Sequence, residues 1–138
     1  MSRVISQYGP GNERNSLSKA IVVGIRQLVK KDGFELDDID SKDIISFIIL
    51  SLEEIVKSVE RSVAAWENRN YWVKADRFRL EWAWAQKCAQ TLKSKYDEND
   101  LTGIIQMIVE IGNNLNGIKI SDRNRIGTPW KGFRNKLK

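Results

Sequence analysis

Between Gly33 and Gly103 the chain contains neither glycine nor proline, and its two prolines, Pro10 and Pro129, sit near the ends. A stretch without these residues lacks the strongest signals for a turn. Its apolar residues recur at the three- and four-residue spacing of amphipathic helices, with no sustained strand-like alternation. The middle of this chain has to be helical.

Capping signals divide that helical stretch and its flanks. Asn15 or Ser16 suits the N-cap of a first helix, whose stripe is Leu17, Ala20, Ile21, Gly24 and Leu28. Lys30, Lys31 and Gly33 suit its end. Asp40 or Ser41 would cap a second helix with a long stripe: Ile45, Ile48, Leu52, Ile55, Val59, Val63 and Trp66. One unbroken helix from 42 to 97 would be roughly 80 Å long, too long for a compact domain of this size. A turn is therefore expected at Asn68–Asn70, within "ENRN". The third helix carries Tyr71, Ala75, Phe78, Trp82, Ala85, Ala89, Leu92 and Tyr96 on its stripe, and "DEND" at 97–100 ends it. Asn99 or Asp100 caps a fourth helix bearing Leu101, Ile104, Ile108, Ile111 and Leu115. Gly117 offers a left-handed stop.

Four such helices with short connections make an all-α, antiparallel four-helix bundle. The expected organisation is a polar N-terminal arm over 1–14, a bundle domain over 15–116 and a basic, loop-like C-terminal tail over 117–138.

Charge is strongly segregated behind the net +5. Basic groups gather in residues 1–31 and 117–138, while residues 32–54 hold eight acids against Lys42. Such patterning speaks to partners rather than to fold. A single cysteine, Cys88, leaves no internal disulfide, and the start of the chain has no apolar run resembling a signal peptide. No stretch approaches the apolar length of a membrane span. These features lead us to expect a cytoplasmic protein with no membrane contact.

Histidine is absent. That removes nucleophiles activated by an imidazole and, with one cysteine, the usual zinc sets. No glycine-rich phosphate loop occurs. The acidic connectors leave a carboxylate–metal hydrolase as a third-ranked function, and no cofactor or catalytic residue is expected.

The segment "WENRNYWVKADRFRLEWAW" holds four of the five tryptophans. These are read chiefly as core. The third helix is nevertheless too apolar for one buried stripe, so Trp72, Trp84, Arg79 and Leu80 are candidates for a partner interface. The leading expectation is a non-enzymatic assembly subunit that binds another protein or its own copies. The alternative is an accessory subunit binding nucleic acid through the tail. There Arg123, Arg125, Lys131, Arg134, Lys136 and Lys138 would meet phosphates and Trp130 would stack on a base. In a competing reading of the same tail, Trp130 and Phe133 anchor it onto the bundle.

Overall fold

The computed structural model describes residues 10–30, 38–120 and 125–137. It is an all-α four-helix bundle: α1 (Pro10–Lys30), α2 (Ile39–Asn68), α3 (Trp72–Asp97) and α4 (Leu101–Asn114), followed by a single 3-10 turn at Phe133–Asn135. Contacts run in opposite senses along sequential neighbours. Glu13 pairs with Arg61 while Gly24 lies against Ile44, and Lys95 meets Asp100 while Cys88 meets Glu110. Each helix of these pairs is therefore antiparallel to the next.

The first helix starts earlier than Asn15 or Ser16. Pro10 takes its first position, where the missing N–H costs nothing and the fixed φ is already helical. The supposed polar arm thus contributes structure. Glu13 is buried, and Arg14 donates to the Ser58 carbonyl (3.1 Å) and Ser62 Oγ (2.9 Å) while lying 4.6 Å over the Phe78 ring. The N-cap of α2 is Asp38 rather than Asp40 or Ser41, and its carboxylate accepts from Ser41 Oγ at 2.8 Å.

The turns between α2 and α3 and between α3 and α4 share one geometry. Tyr71 N–H donates to Trp66 C=O and Asn70 N–H to Glu67 C=O; Asp100 and Asn99 repeat the pattern on Lys95 and Tyr96. This is the Schellman arrangement, which needs a left-handed residue. Asn70 (φ 65°) and Asn99 (φ 56°) supply it. Asparagine tolerates that region where most residues do not, so neither glycine nor proline is required. Asp100 then caps α4 by accepting from Gly103 N–H at 3.0 Å.

The core is densest around the N-terminal half of α2, where Ile44 through Ile49 are all buried. That half is apolar well beyond its predicted stripe. Helices α1 and α3 cover two sides. The third is covered by the C-terminal tail, where Trp130 and Phe133 pack edge-on against Phe47 with ring centroids 6.5 and 4.9 Å away. Gly24 of α1 leaves room for this: a Cβ there would come within 3.2 Å of Ile44 and 3.8 Å of the Trp130 ring.

The left-handed turns make a direct test. Asn70→Gly should leave the urea midpoint nearly unchanged, whereas Asn70→Val should cost about 1–2 kcal/mol by forcing a β-branched residue to positive φ.

Candidate functional site

Helix length decides what stays open. At 30 and 26 residues, α2 and α3 run roughly 45 and 39 Å, while the 14 residues of α4 cover only about 21 Å. Because Glu110 of α4 accepts from the Cys88 thiol, α4 ends about level with Trp84. The N-terminal half of α3 therefore extends past the helix that covers its C-terminal half.

On that uncovered stretch Val73 is 65% and Leu80 77% exposed. The two are seven residues apart on one α3 face, with half-buried Trp84 next along it; Cys88, which α4 reaches, lies about 80° further round the helix than Leu80. An open groove of about 930 Å³ follows it, lined by Trp66, Val73, Lys74, Arg77, Phe78, Leu80 and Glu81. A second hollow, sharing Val73 and Lys74, is formed by Asn70, Tyr71 and Trp72. Trp66 and Phe78 are the aromatic rings of its lining and begin a ladder that runs on along α3. Trp66 meets Phe78 edge-on at 4.9 Å, Phe78 leads to Trp82 at 6.4 Å, and Trp82 stacks on Trp84 at 5.8 Å. The basic rim has Lys74 Nζ 4.5 Å over the Trp66 ring. The first turn of α3 holds no acid, and Tyr71 gives no side-chain cap. The positive end of this helix is thus left uncompensated by its own side chains.

Of the four predicted interface residues, Leu80 and Trp84 share this face. Trp72 is 55% exposed beside it. Arg79 lies elsewhere. It pairs with Glu67 (3.0 Å), Glu60 (3.7 Å) and Asp76 (3.7 Å), tying α3 to α2 on the other flank. The expectation that the four central tryptophans are chiefly core holds in part: Trp66, Trp82 and Trp84 pack against the core, and Trp72 does not. Trp66, Trp82 and Trp84 are half-buried and Trp72 is exposed. Tyr71, placed on the core stripe, is the exposed N-cap of α3.

The tail candidates divide differently. Trp130 is the fully buried tryptophan, 2% exposed, and its indole N–H donates to Asp40 at 3.2 Å. No ring face is left for a base. Arg134 is held by Asp43, which accepts from its guanidinium (3.1 and 3.2 Å), from its N–H (3.0 Å) and from Gly132 N–H (3.0 Å). Gly132 reaches that position at φ 81°, which only glycine adopts without strain. Over its described residues the tail is loop-like apart from one 3-10 turn, and it is docked: Trp130 and Phe133 anchor it onto the bundle, as the competing reading of the tail had it. Arg125, Lys131 and Lys136 are exposed, with Lys136 Nζ 4.6 Å over the Phe133 ring. Arg123 and Lys138 lie outside the described residues.

Two titrating groups have structural explanations. Burial raises the Asp43 carboxyl, but its hydrogen bonds from Gly132 and Arg134 and the guanidinium charge outweigh that and hold it below its ordinary value. Burial pushes the Cys88 thiol up to about 12, reinforced by its hydrogen bond to Glu110 and the charge there. Among the described residues no three acidic or thiol side chains converge to hold a metal ion, and no helix is long and apolar enough to cross a membrane. Comparison with protein-family models, curated proteins and solved structures finds no match.

Asp43→Asn should destabilise the protein by about 2–3 kcal/mol and open the tail to trypsin at Lys131. Because folding lowers the Asp43 pKa, its contribution is present above the unfolded value of about 3.9 and lost as pH falls through the folded one. The gap between wild-type and variant denaturant midpoints should therefore close in acid. The raised Cys88 pKa predicts a native thiol inert to alkylation at pH 8. Its modification should appear only with denaturant.

Proposed function

We propose that this chain is a non-enzymatic assembly subunit of a cytoplasmic complex, binding another protein surface through the open face of α3. One observation carries the reading: Val73 and Leu80 lie exposed where α3 extends past α4, lining an open groove with Trp66 and Phe78. Adjacent exposed apolar side chains flanked by aromatics and cations have the make-up of an interface centre rather than of ordinary surface. The lack of histidine in the sequence, and of converging metal ligands among the described residues, fits the non-enzymatic part. The single buried cysteine suits a reducing compartment.

A second reading has its own support. Exposed Tyr71 and Trp72 stand beside Arg69, Lys74 and Arg77, a combination suited to stacking on bases and neutralising phosphates. It relocates nucleic-acid contact from the tail, where Trp130 and Arg134 are engaged, to the tip of α3.

A photo-crosslinking amino acid placed at Leu80 and expressed in cells should give a discrete adduct whose mass spectrum identifies a protein. The same group at exposed Glu53 on α2 should not. No protein adduct from Leu80, together with salt-sensitive RNA or DNA binding lost in Trp72→Ala, would replace the assembly reading with the second one.

A further inference from the structure

The α3 face is not the molecule's only uncovered apolar surface. On α4, Leu101, Ile105 and Val109 stand four residues apart on one side, 37%, 44% and 57% exposed. Their helix turns a different side inward, burying Ile104, Met107, Ile108 and Ile111. One chain thus presents two apolar stripes, one on α3 and one on α4.

The stripes differ in charge. Around the first, Arg69, Lys74 and Arg77 make no ion pair with a described residue, and Glu81 is the acid in the groove. Around the second, residues 97–114 hold Asp97, Glu98, Asp100 and Glu110 with no lysine or arginine. Asp100 has Lys95 at 3.6 Å, while Asp97 and Glu98 are exposed. The two turns sit at opposite ends of α3. Residues 69–77 carry Arg69, Lys74 and Arg77 against Asp76, which faces Arg79, and residues 97–100 carry three acids, so one tip is net basic and the other net acidic.

Resting on the assembly reading above, we infer that copies of this chain associate head to tail. The outer stripe of α4 in one copy seats against the open α3 face of the next. The groove suits this occupant because its α3 lining, from Val73 to Glu81, lies beyond the end of the chain's own α4 and so is free to take a second helix. Charge selects the pairing. A twofold contact of α3 face on α3 face would set basic rim against basic rim, and α4 on α4 would oppose acids. Only the unlike pairing joins opposite signs. Such a contact uses different surfaces on the two copies, so it leaves one stripe free at each end and does not stop at a dimer unless the rotation closes a ring.

This arrangement predicts a complementation that no twofold dimer shows. In sedimentation velocity, the wild type should form a concentration-dependent series beyond dimer, weakened by salt. Leu80→Glu and Ile105→Glu, each at an exposed site, should keep the wild-type circular dichroism and melting temperature. Each alone should associate roughly tenfold or more weakly. Mixed together they should form a 1:1 heterodimer and nothing larger, because the first retains an intact α4 stripe and the second an intact α3 face. Val73→Glu and Val109→Glu form a second pair should either first variant misfold. A wild type monomeric at every concentration, a series ending at dimer, or variants that fail to complement would each overturn the inference. The crosslink at Leu80 separates this failure from that of the broader reading. An adduct with a different protein would leave an assembly subunit without self-association, whereas nucleic acid alone on this surface would end both.

Discussion

A helix that is apolar around its circumference has to be covered on every side, and the N-terminal half of α2 is such a helix. Its neighbours α1 and α3 cannot enclose it, and α4 packs against α3 and α1 without touching α2. The remaining flank is closed by a segment some ninety residues downstream, held by Trp130 on Asp40 and by Arg134 on Asp43. Each ring or cation brings a hydrogen bond to a carboxylate that would otherwise be stranded near an apolar surface. The acidic start of α2 and the basic tail are therefore partly neutralised within the molecule. Positive charge is left over at the opposite end, where the turn between α2 and α3 carries Arg69, Lys74 and Arg77.

The second constraint is length. A four-helix bundle with equal helices covers all four inner faces, but here α4 is about half as long as α3. Nothing in the chain's described residues takes its place over Val73 and Leu80. The aromatic ladder beneath is half-buried for the same reason. Trp66, Phe78 and Trp82 are large enough to shield one another, yet the layer that would seal them from outside is missing.

Periodicity made most of the scaffold legible. The α2 stripe from Ile45 to Val63 is buried as its spacing implied, because a helix hidden against neighbours leaves a repeat that one sequence displays. The turn at Asn68–Asn70 was legible too, though its mechanism was less plain: asparagine occupied the left-handed position where glycine is commoner. The docked tail was legible only as one of two readings, with Trp130 and Phe133 as anchors but no site for them. Its signals were Ile44, Phe47 and Ile49, apolar off the main stripe and so in need of further cover, beside Asp40 and Asp43. Periodicity cannot say which distant segment supplies that cover. How far each tryptophan is buried was less legible, since counting aromatics in a window says nothing about where neighbouring helices stop. Tyr71 fits a buried repeat, yet it sits at a tip that α4 does not reach, beside Trp72, which is off that repeat and exposed.

The docking of the tail onto α2 also sets an order of events during synthesis. The residues that close the Phe47 flank are made about ninety positions later, which at bacterial-to-eukaryotic translation rates is roughly 5–20 s. Throughout that interval α1, α2 and α3 can pair locally, but the most apolar part of the chain has no cover on one side. Until the segment carrying Trp130 and Phe133 has emerged, the apolar run from Ile44 to Ile49 stays open on one flank and available to chaperones.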